Sequence, residues 1–263
     1  MGYYDRSSNS GFKSRLVIAL IIVAFTVFRY FSKNQYNEIT GEKQHISLTP
    51  DEEINLGLHS AGAMAEQYGG LYPDQEVQDQ VSQVGNKIVQ NSDAQRSPYH
   101  YNFYVLRDPE TVNAFALPGG QIFITVGLLK RLTSEDQLAG ILGHEIGHVV
   151  GRHSAEHIEK QNLLQGLVGA ASVAGGDYTS AQMAQVVGNL VNMKYGRSDE
   201  LESDDWGVKY MAQAGYNPEA MLEVMQILKD ASGGQSVPEF QSTHPSPENR
   251  MVKIKEAIAK YKK

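Results

Sequence analysis

The alternation of apolar and polar positions divides the chain before any motif is considered. Residues 1–15 are polar and carry Arg6, Lys13 and Arg15; residues 16–28 are apolar at thirteen consecutive positions broken only by Thr26. A run of that length suits a signal-peptide core. No small-x-small cleavage site follows it, however, and Tyr30 and Phe31 extend it, while Arg15 and Arg29 can snorkel outward from its ends. Sixteen helical residues reach about 24 Å, short of a ~30 Å hydrocarbon core but tolerable with local thinning. The pattern predicts an uncleaved membrane anchor over 16–31, with a cleaved signal as the alternative. Three basic residues before the run against two after it bias the N-terminus toward the cytoplasm, which puts the remainder on the extracytoplasmic, periplasmic side of a single-pass protein. Residues 32–48 are polar with little periodicity and read as a tether. Residues 49–263 form the folded domain.

Inside that domain the period alternates between helix and strand. Thr49-Pro50-Asp51-Glu52 opens a helix that runs to about Gln67 and stops at Gly69-Gly70. Asp74 opens a second, with Val77, Val81, Val84 and Ile88 on its core face. Alternating aromatics predict a strand over 99–106, and 113–117 and 121–126 read as two more, joined by Pro118-Gly119-Gly120. The expectation is a small antiparallel sheet with an exposed edge, able to accept a peptide as an added strand or simply to cover the helices. Ser134-x-x-Gln137 is a capping box, and the helix it opens carries Leu138, Ile141, Leu142, Val149 and Val150. Four small residues in that helix, Ala139, Gly140, Gly143 and Gly147, point to close packing of another element or room for a ligand. Residues 163–173 and 181–193, split by Gly175-Gly176, read as a helical hairpin: ordinary core is the favoured reading, a lid or a membrane-dipping loop the others. Ser198 and a crowd of acids start a helix that ends at Gly215, Asn217-Pro218 the next, and Ser246-Pro247-Glu248 the last. The fold class expected is α+β, mainly helical.

Composition narrows the chemistry. The 263 residues are 41% hydrophobic, enough for one sizeable core. A net charge of −7 offers no basic surface to nucleic acid. Cysteine is absent, which removes disulfides, thiolate ligands and a cysteine nucleophile and leaves any metal to His, Asp and Glu.

Those residues converge on His144-Glu145-Ile146-Gly147-His148. Two imidazoles four apart lie one turn above the other on a helix and can reach one zinc ion, and Glu145, about 100° round the helix, can take a proton from a zinc-bound water. Zinc needs a third protein ligand. His153 and His157 follow closely, but His153 points away from the metal face if the helix continues. The acids Asp199, Glu200, Glu202, Asp204 and Asp205 offer a carboxylate instead; Glu200 and Asp204 share one helical face. A di-iron bundle would need a second Glu-x-x-His, and Glu42-x-x-His45 lies in the tether.

Taken together, residues 143–153, Arg197-Ser198, and Glu200 with Asp204 four residues on resemble the M48 family of zinc metallopeptidases, whose zincin-like domain pairs H-E-x-x-H with a later E-x-x-x-D helix. The residues from Asn113 to Gly120 resemble that family's strand before the zinc helix, and His244-Pro245-Ser246-Pro247-x-x-Arg250 its C-terminal motif. The likeness covers roughly residues 50–258 and is closest to the single-anchor, Oma1- and BepA-like branch. Ser203, where alanine is usual, and the lone anchor depart from the wider pattern, and the anchor argues against a prenylated substrate. The resemblance implies one Zn2+ per chain held by His144, His148 and Glu200, with Glu145 as general base. It implies Asp204 and Arg250 behind the ligands, and His244 facing the zinc, either stabilising the oxyanion or blocking the site at rest. Asn113, Ala114 and Phe115 would line the peptide. The function implied is a zinc-dependent metalloendopeptidase acting through a zinc-activated water on polypeptide substrates, in quality control of misfolded or membrane-associated proteins. A membrane-tethered, chaperone-like binding protein with a latent zinc site is the competing expectation.

Overall fold

The computed structural model describes residues 8–175, 195–231, 239–244 and 249–262. The second arm of the expected hairpin and residues 245–248, with the expected Ser246 cap, lie outside the described residues. The architecture is mainly helical with a small sheet, as the α+β expectation has it.

Helix α1 (Ser8–Ser32) leads into a two-stranded ribbon, β1 (Gln35–Tyr36) and β2 (Lys43–Gln44). Helix α2 (Pro50–Gln67) starts with the full capping box of Thr49 and Glu52, and α3 (Gln75–Gln90) is capped by Asp74. Strands β3 (Asn102–Leu106), β4 (Ala114–Leu117) and β5 (Gln121–Thr125) follow, then a one-turn α4 (Val126–Leu129). Helices α5 (Glu135–Val150), α6 (His153–Gly175), α7 (Arg197–Gln213), α8 (Ala220–Ala231), α9 (Glu239–Thr243) and α10 (Arg250–Tyr261) complete the chain.

The sheet is mixed, which corrects the expectation of an antiparallel one. Its order is β3-β5-β4, with β3 parallel to β5 and β4 antiparallel to it. The physical reason is burial. Strands β4 and β5 are buried throughout while β3 is partly exposed, so β3 takes the outer side of β5, and the connection after β3 carries the chain past β5 to the far side. The Asp108 carboxylate orders that connection by accepting from the Glu110 and Thr111 amides. Nor is the outer edge of β4 exposed. Phe240 donates its amide to the carbonyl of Val112, and the Tyr195 hydroxyl reaches the carbonyl of Ala116.

The main core lies between the sheet, α3, α5, α7 and α8. Helices α5 and α7 cross almost backbone to backbone. A Cβ at Gly147 would lie 2.9 Å from the carbonyl oxygen of Ser203, and one at Gly207 would lie 3.0 Å from the amide nitrogen of His144. The glycines of α5 therefore serve close packing of another element, and that element is α7.

Residues 33–49 are docked against the end of α5. The helix leaves carbonyls at its C-terminus without partners of their own. Asn37 donates to the Val150 carbonyl at 2.8 Å and Gln44 to the Gly151 carbonyl at 2.5 Å. Arg152, at φ 56, turns the chain out of the helix in the left-handed region. Its buried guanidinium donates to Glu53, Gln35 and the Leu48 carbonyl. Helix α6 then leaves the domain. Its apolar half is not core, contrary to the favoured expectation: Leu164 and Val168 are 60% and 59% exposed, and it lies along α1.

Candidate metal centre

The α5 sequence alone places two imidazoles on one helical face, and the packing of α7 supplies what faces them. Ser134 caps α5 through the Gln137 amide, and residues 137–150 are all buried. At the start of α7 the Asp199 carboxylate accepts from the Gly196 amide, so this acid caps the helix. Glu202 turns to His153 and Trp206, and Asp205 to Tyr261. Only Glu200 and Asp204, one turn apart, enter the interior against α5. The crowd of acids thus resolves into a capping residue, two groups on the periphery, and two wholly buried carboxylates.

His144, His148, Glu200 and His244 each offer a ligand atom, all within 4.8 Å of one another. His144 Nε2 and His148 Nε2 lie 3.1 Å apart, and each is 3.5 Å from an oxygen of Glu200. Bonds of 2.0–2.1 Å in a tetrahedron would separate ligand atoms by about 3.3 Å. His244 Nδ1 is 3.0 Å from Glu200 Oε1, and its ring stacks on Phe240.

Groups behind these atoms orient them. His144 Nδ1–H donates to Asp204 Oδ1 at 2.9 Å, which turns Nε2 inward as a lone pair. Asp204 is gripped by the Arg250 guanidinium in a two-pronged contact at 2.6 and 2.9 Å. His148 Nδ1 meets His153 Nδ1 at 2.9 Å, and His153 Nε2 is 3.3 Å from Glu202. With Glu202 accepting from His153, His148 donates at its back nitrogen and also presents a bare Nε2. The Ser203 hydroxyl touches His153 Nδ1 at 3.3 Å, a contact that alanine could not make. Tyr195 stacks on the His148 ring at 3.9 Å between centroids.

The residues present fit a metal ion. Two imidazole nitrogens 3.1 Å apart beside a buried carboxylate need positive charge among them, which a proton on His144 or a metal ion can supply. The titration directions report the same field. Burial would push His144 down, but hydrogen bonds to Asp204 and Glu200 outweigh it and raise the ring to about 9. Burial would push Glu200 up, yet the charge of His244 and hydrogen bonds from the histidines hold it well below the usual carboxylate range. Burial holds His148 well below the usual imidazole range, so its lone pair is available. Both oxygens of Glu145 and Nε2 of His244 are buried without a hydrogen-bond partner. Burial also raises the Glu145 carboxyl, against the pull of His244 and His144.

The remaining sequence candidates lie on β4 or just before it. Asn113 is buried and donates to Glu239 at 3.1 Å and to the Tyr68 hydroxyl, so its amide is taken up by α9. Ala114 is wholly buried, and Phe115 stacks between Tyr68 and Phe123. Asn113 and Phe115 line a cleft with Tyr195 and His244, whose free volume of about 20 Å³ holds a water and no more. Two contributors had no place among the sequence candidates for roles at the site: His153 as the partner of His148, and Tyr195. The signal for His153 was its spacing, five residues after His148 and past the Gly151-Arg152 turn. For Tyr195 the sequence holds no local signal.

The model of peptidase family M48 matches residues 75–258. The beta-barrel assembly-enhancing protease of Yersinia pestis is 30% identical over 221 residues, which are 80% of this chain and 45% of that protein. The mitochondrial metalloendopeptidase OMA1 of Schizosaccharomyces pombe is 32% identical over 232 residues, 86% of this chain and 67% of that one. The metalloprotease YcaL of Escherichia coli is 26% identical over 166 residues, 62% and 63% of the two chains. This chain spans about half the length of the assembly-enhancing proteases it matches. The match runs from α3 to α10 and takes in both helices of the metal centre, and on it the chain belongs to peptidase family M48.

Proposed function

We propose that the chain is a zinc-dependent metalloendopeptidase. The observation that carries this reading is the convergence of His144 Nε2, His148 Nε2 and the Glu200 carboxylate beside Glu145, whose two oxygens are buried without a hydrogen-bond partner, Oε1 lying 3.8 Å from His244 Nε2. His144, His148 and Glu200 would hold the ion, one per chain. Zinc bound there supplies a Lewis acid that acidifies a water and polarises the scissile carbonyl. Glu145 accepts the water's proton and delivers it to the departing amide nitrogen; a carboxyl raised by burial suits both halves of that transfer. Asp204 and Arg250 hold His144 in its tautomer, and His153 does the same for His148.

His244 offers a further ligand atom beside these three and would close the resting site with its own chain, with α9 lying where a peptide would pair with β4. Substrate enters when residues 239–244 withdraw, and Asn113, Ala114 and Phe115 then line the extended peptide. Helix α1 is the one helix among the described residues long and apolar enough to cross a membrane, and it serves as a single-pass anchor with the domain on the extracytoplasmic side. Misfolded or membrane-associated polypeptides, met in quality control, are the substrate class. The closed cleft also favours a second reading, a chaperone-like binder with a latent site.

One experiment separates the two: metal analysis and casein digestion by the full chain, with and without Glu145→Gln. The enzyme reading expects one zinc in both proteins and a rate lower by about 10²–10⁴-fold in the variant. Equal cleavage by the variant would remove Glu145 from the mechanism. One zinc with no cleavage by the parent protein would favour the binder.

A further inference from the structure

The apolar half of α6 packs on α1, and the two helices keep a common level. They run antiparallel: Arg29 lies 3.6 Å from Glu159, and further from the domain Gly166 lies against Thr26. On the domain side of the Arg29–Glu159 pair, α6 carries Glu156 and α1 is followed by Lys33. Beyond the pair, and beyond Lys160 next to it, both helices are free of charge, α1 over residues 16–28 and α6 over 163–175, thirteen residues and about 20 Å each. The contact between them is made through small residues. Gly166 and Ala170 stand one turn apart on α6, Ala170 and Ala19 are buried to 1% and 6% exposure, and a Cβ at Gly166 would come within 2.5 Å of Thr26. Close helix pairs in lipid are built in this way. The outward faces are large and apolar on both helices: Leu164 and Val168 on α6, Leu20 and Phe25 on α1. Water would leave this joint face exposed at considerable cost, about 25 cal/mol for each Å².

We propose that residues 163–175 of α6 lie in the lipid bilayer beside α1, so that the domain is held to the membrane by a helix pair. This rests on α1 being the anchor. The partner is the acyl-chain region of the bilayer, and Arg29 with Glu159 marks the level at which both helices leave it. Since only two residues separate α6 from the helix of the metal centre, the pair fixes the height and tilt of that centre above the lipid.

Absence of native cysteine makes the test direct. Single variants Leu164→Cys, Val168→Cys, Leu20→Cys and Lys160→Cys of the full chain, labelled with bimane, are placed in phosphatidylethanolamine–phosphatidylglycerol vesicles. Quenching is read with acyl-chain nitroxide lipid and with aqueous iodide. The expected result is nitroxide quenching at 164 and 168 within about twofold of that at 20, with iodide quenching several-fold weaker than at 160. Iodide quenching at 164 and 168 equal to that at 160, with 20 still in lipid, overturns the proposal and leaves the anchor standing. Position 20 behaving like 160 overturns both. Shielding of 164 and 168 from both quenchers shows that protein covers the face and also overturns it. A Thr26→Cys, Gly166→Cys pair, whose Cβ atoms would lie 3.2 Å apart, should form a disulfide in the vesicles; no cross-link means that the two helices part.

Discussion

Helices α5 and α6 are neighbours in sequence, separated only by Gly151 and Arg152, and they handle polarity in opposite ways. In α5 the histidines and Glu145 are buried to 2% exposure or less, while in α6 Leu164 and Val168 are more than half exposed. The difference lies in what each helix packs against. Helix α5 meets the sheet, α3, α7 and α8, so its buried imidazoles can be matched: His144 by Asp204, which Arg250 grips in turn, and His148 by His153. Among the described residues the outer half of α6 packs along α1, whose own outer face is apolar. Burial here follows the surroundings of a helix more than its composition.

Arg152 is the joint between the two regions, and its loss should have the largest effect on stability. Arg152→Met leaves the buried Glu53 carboxylate without its cation, a loss of about 3–5 kcal/mol in denaturant unfolding. The sign with pH follows from Glu53. Burial raises its carboxyl above the ordinary 4.5 against the pull of Arg152, and removing Arg152 raises it further. A group raised in the folded state loses stability as pH rises through its folded value. The deficit of the variant should therefore be full above that value and shrink as pH falls toward 4.5. A deficit independent of pH would mean that Glu53 is not the group left unmatched.

Next in size is the α5–α7 crossing. Gly147→Ala should destabilise the domain by about 1–3 kcal/mol and lower its zinc content, because pushing Ser203, and α7 with it, away from α5 moves Glu200 as well. If stability falls while zinc stays at one per chain, the crossing does not position the ligand. Asp204→Asn should be milder. It keeps the shape and removes the charge that Arg250 grips, and zinc affinity measured against a competing chelator should fall about 10–100-fold. No change would mean that Arg250 and packing alone orient His144.

Much of this was legible where the relevant signal is local. The i, i+4 histidines, the caps at Thr49, Asp74 and Ser134, and the periodicity of α3 are all set within one or two turns. Which of five acids faces the metal centre depends on the rotation of α7, and its helical period narrowed the choice to Glu200 and Asp204 without separating their roles. The order of the strands was not legible, because alternation shows that a segment is a strand and not which neighbour it pairs with. The docking of residues 33–49 was hidden for a different reason. Asn37 and Gln44 cap carbonyls 113 and 107 positions away, and polar residues that satisfy distant backbone groups look like those of a loose tether. The apolar half of α6 was read as core because hydrophobicity alone does not distinguish a residue facing protein from one that does not.

The smallest expected effect tests the comparison most directly. Unfolding of the domain can be followed through Trp206, the single tryptophan, which packs on Tyr210. Leu142→Ala, in the core beside the ligands, should cost about 2–5 kcal/mol by opening a cavity. Leu164→Asn should cost under about 0.5 kcal/mol in the same measurement, since its side chain contributes little to the domain's core. The polar substitution should instead weaken retention of the protein on vesicles, because any cost arises where α6 meets its surroundings rather than inside the fold. A loss at Leu164 comparable to that at Leu142 would mean that the outer half of α6 supports the domain directly. The contrast between the two helices would then reduce to a difference in exposure with no difference in role.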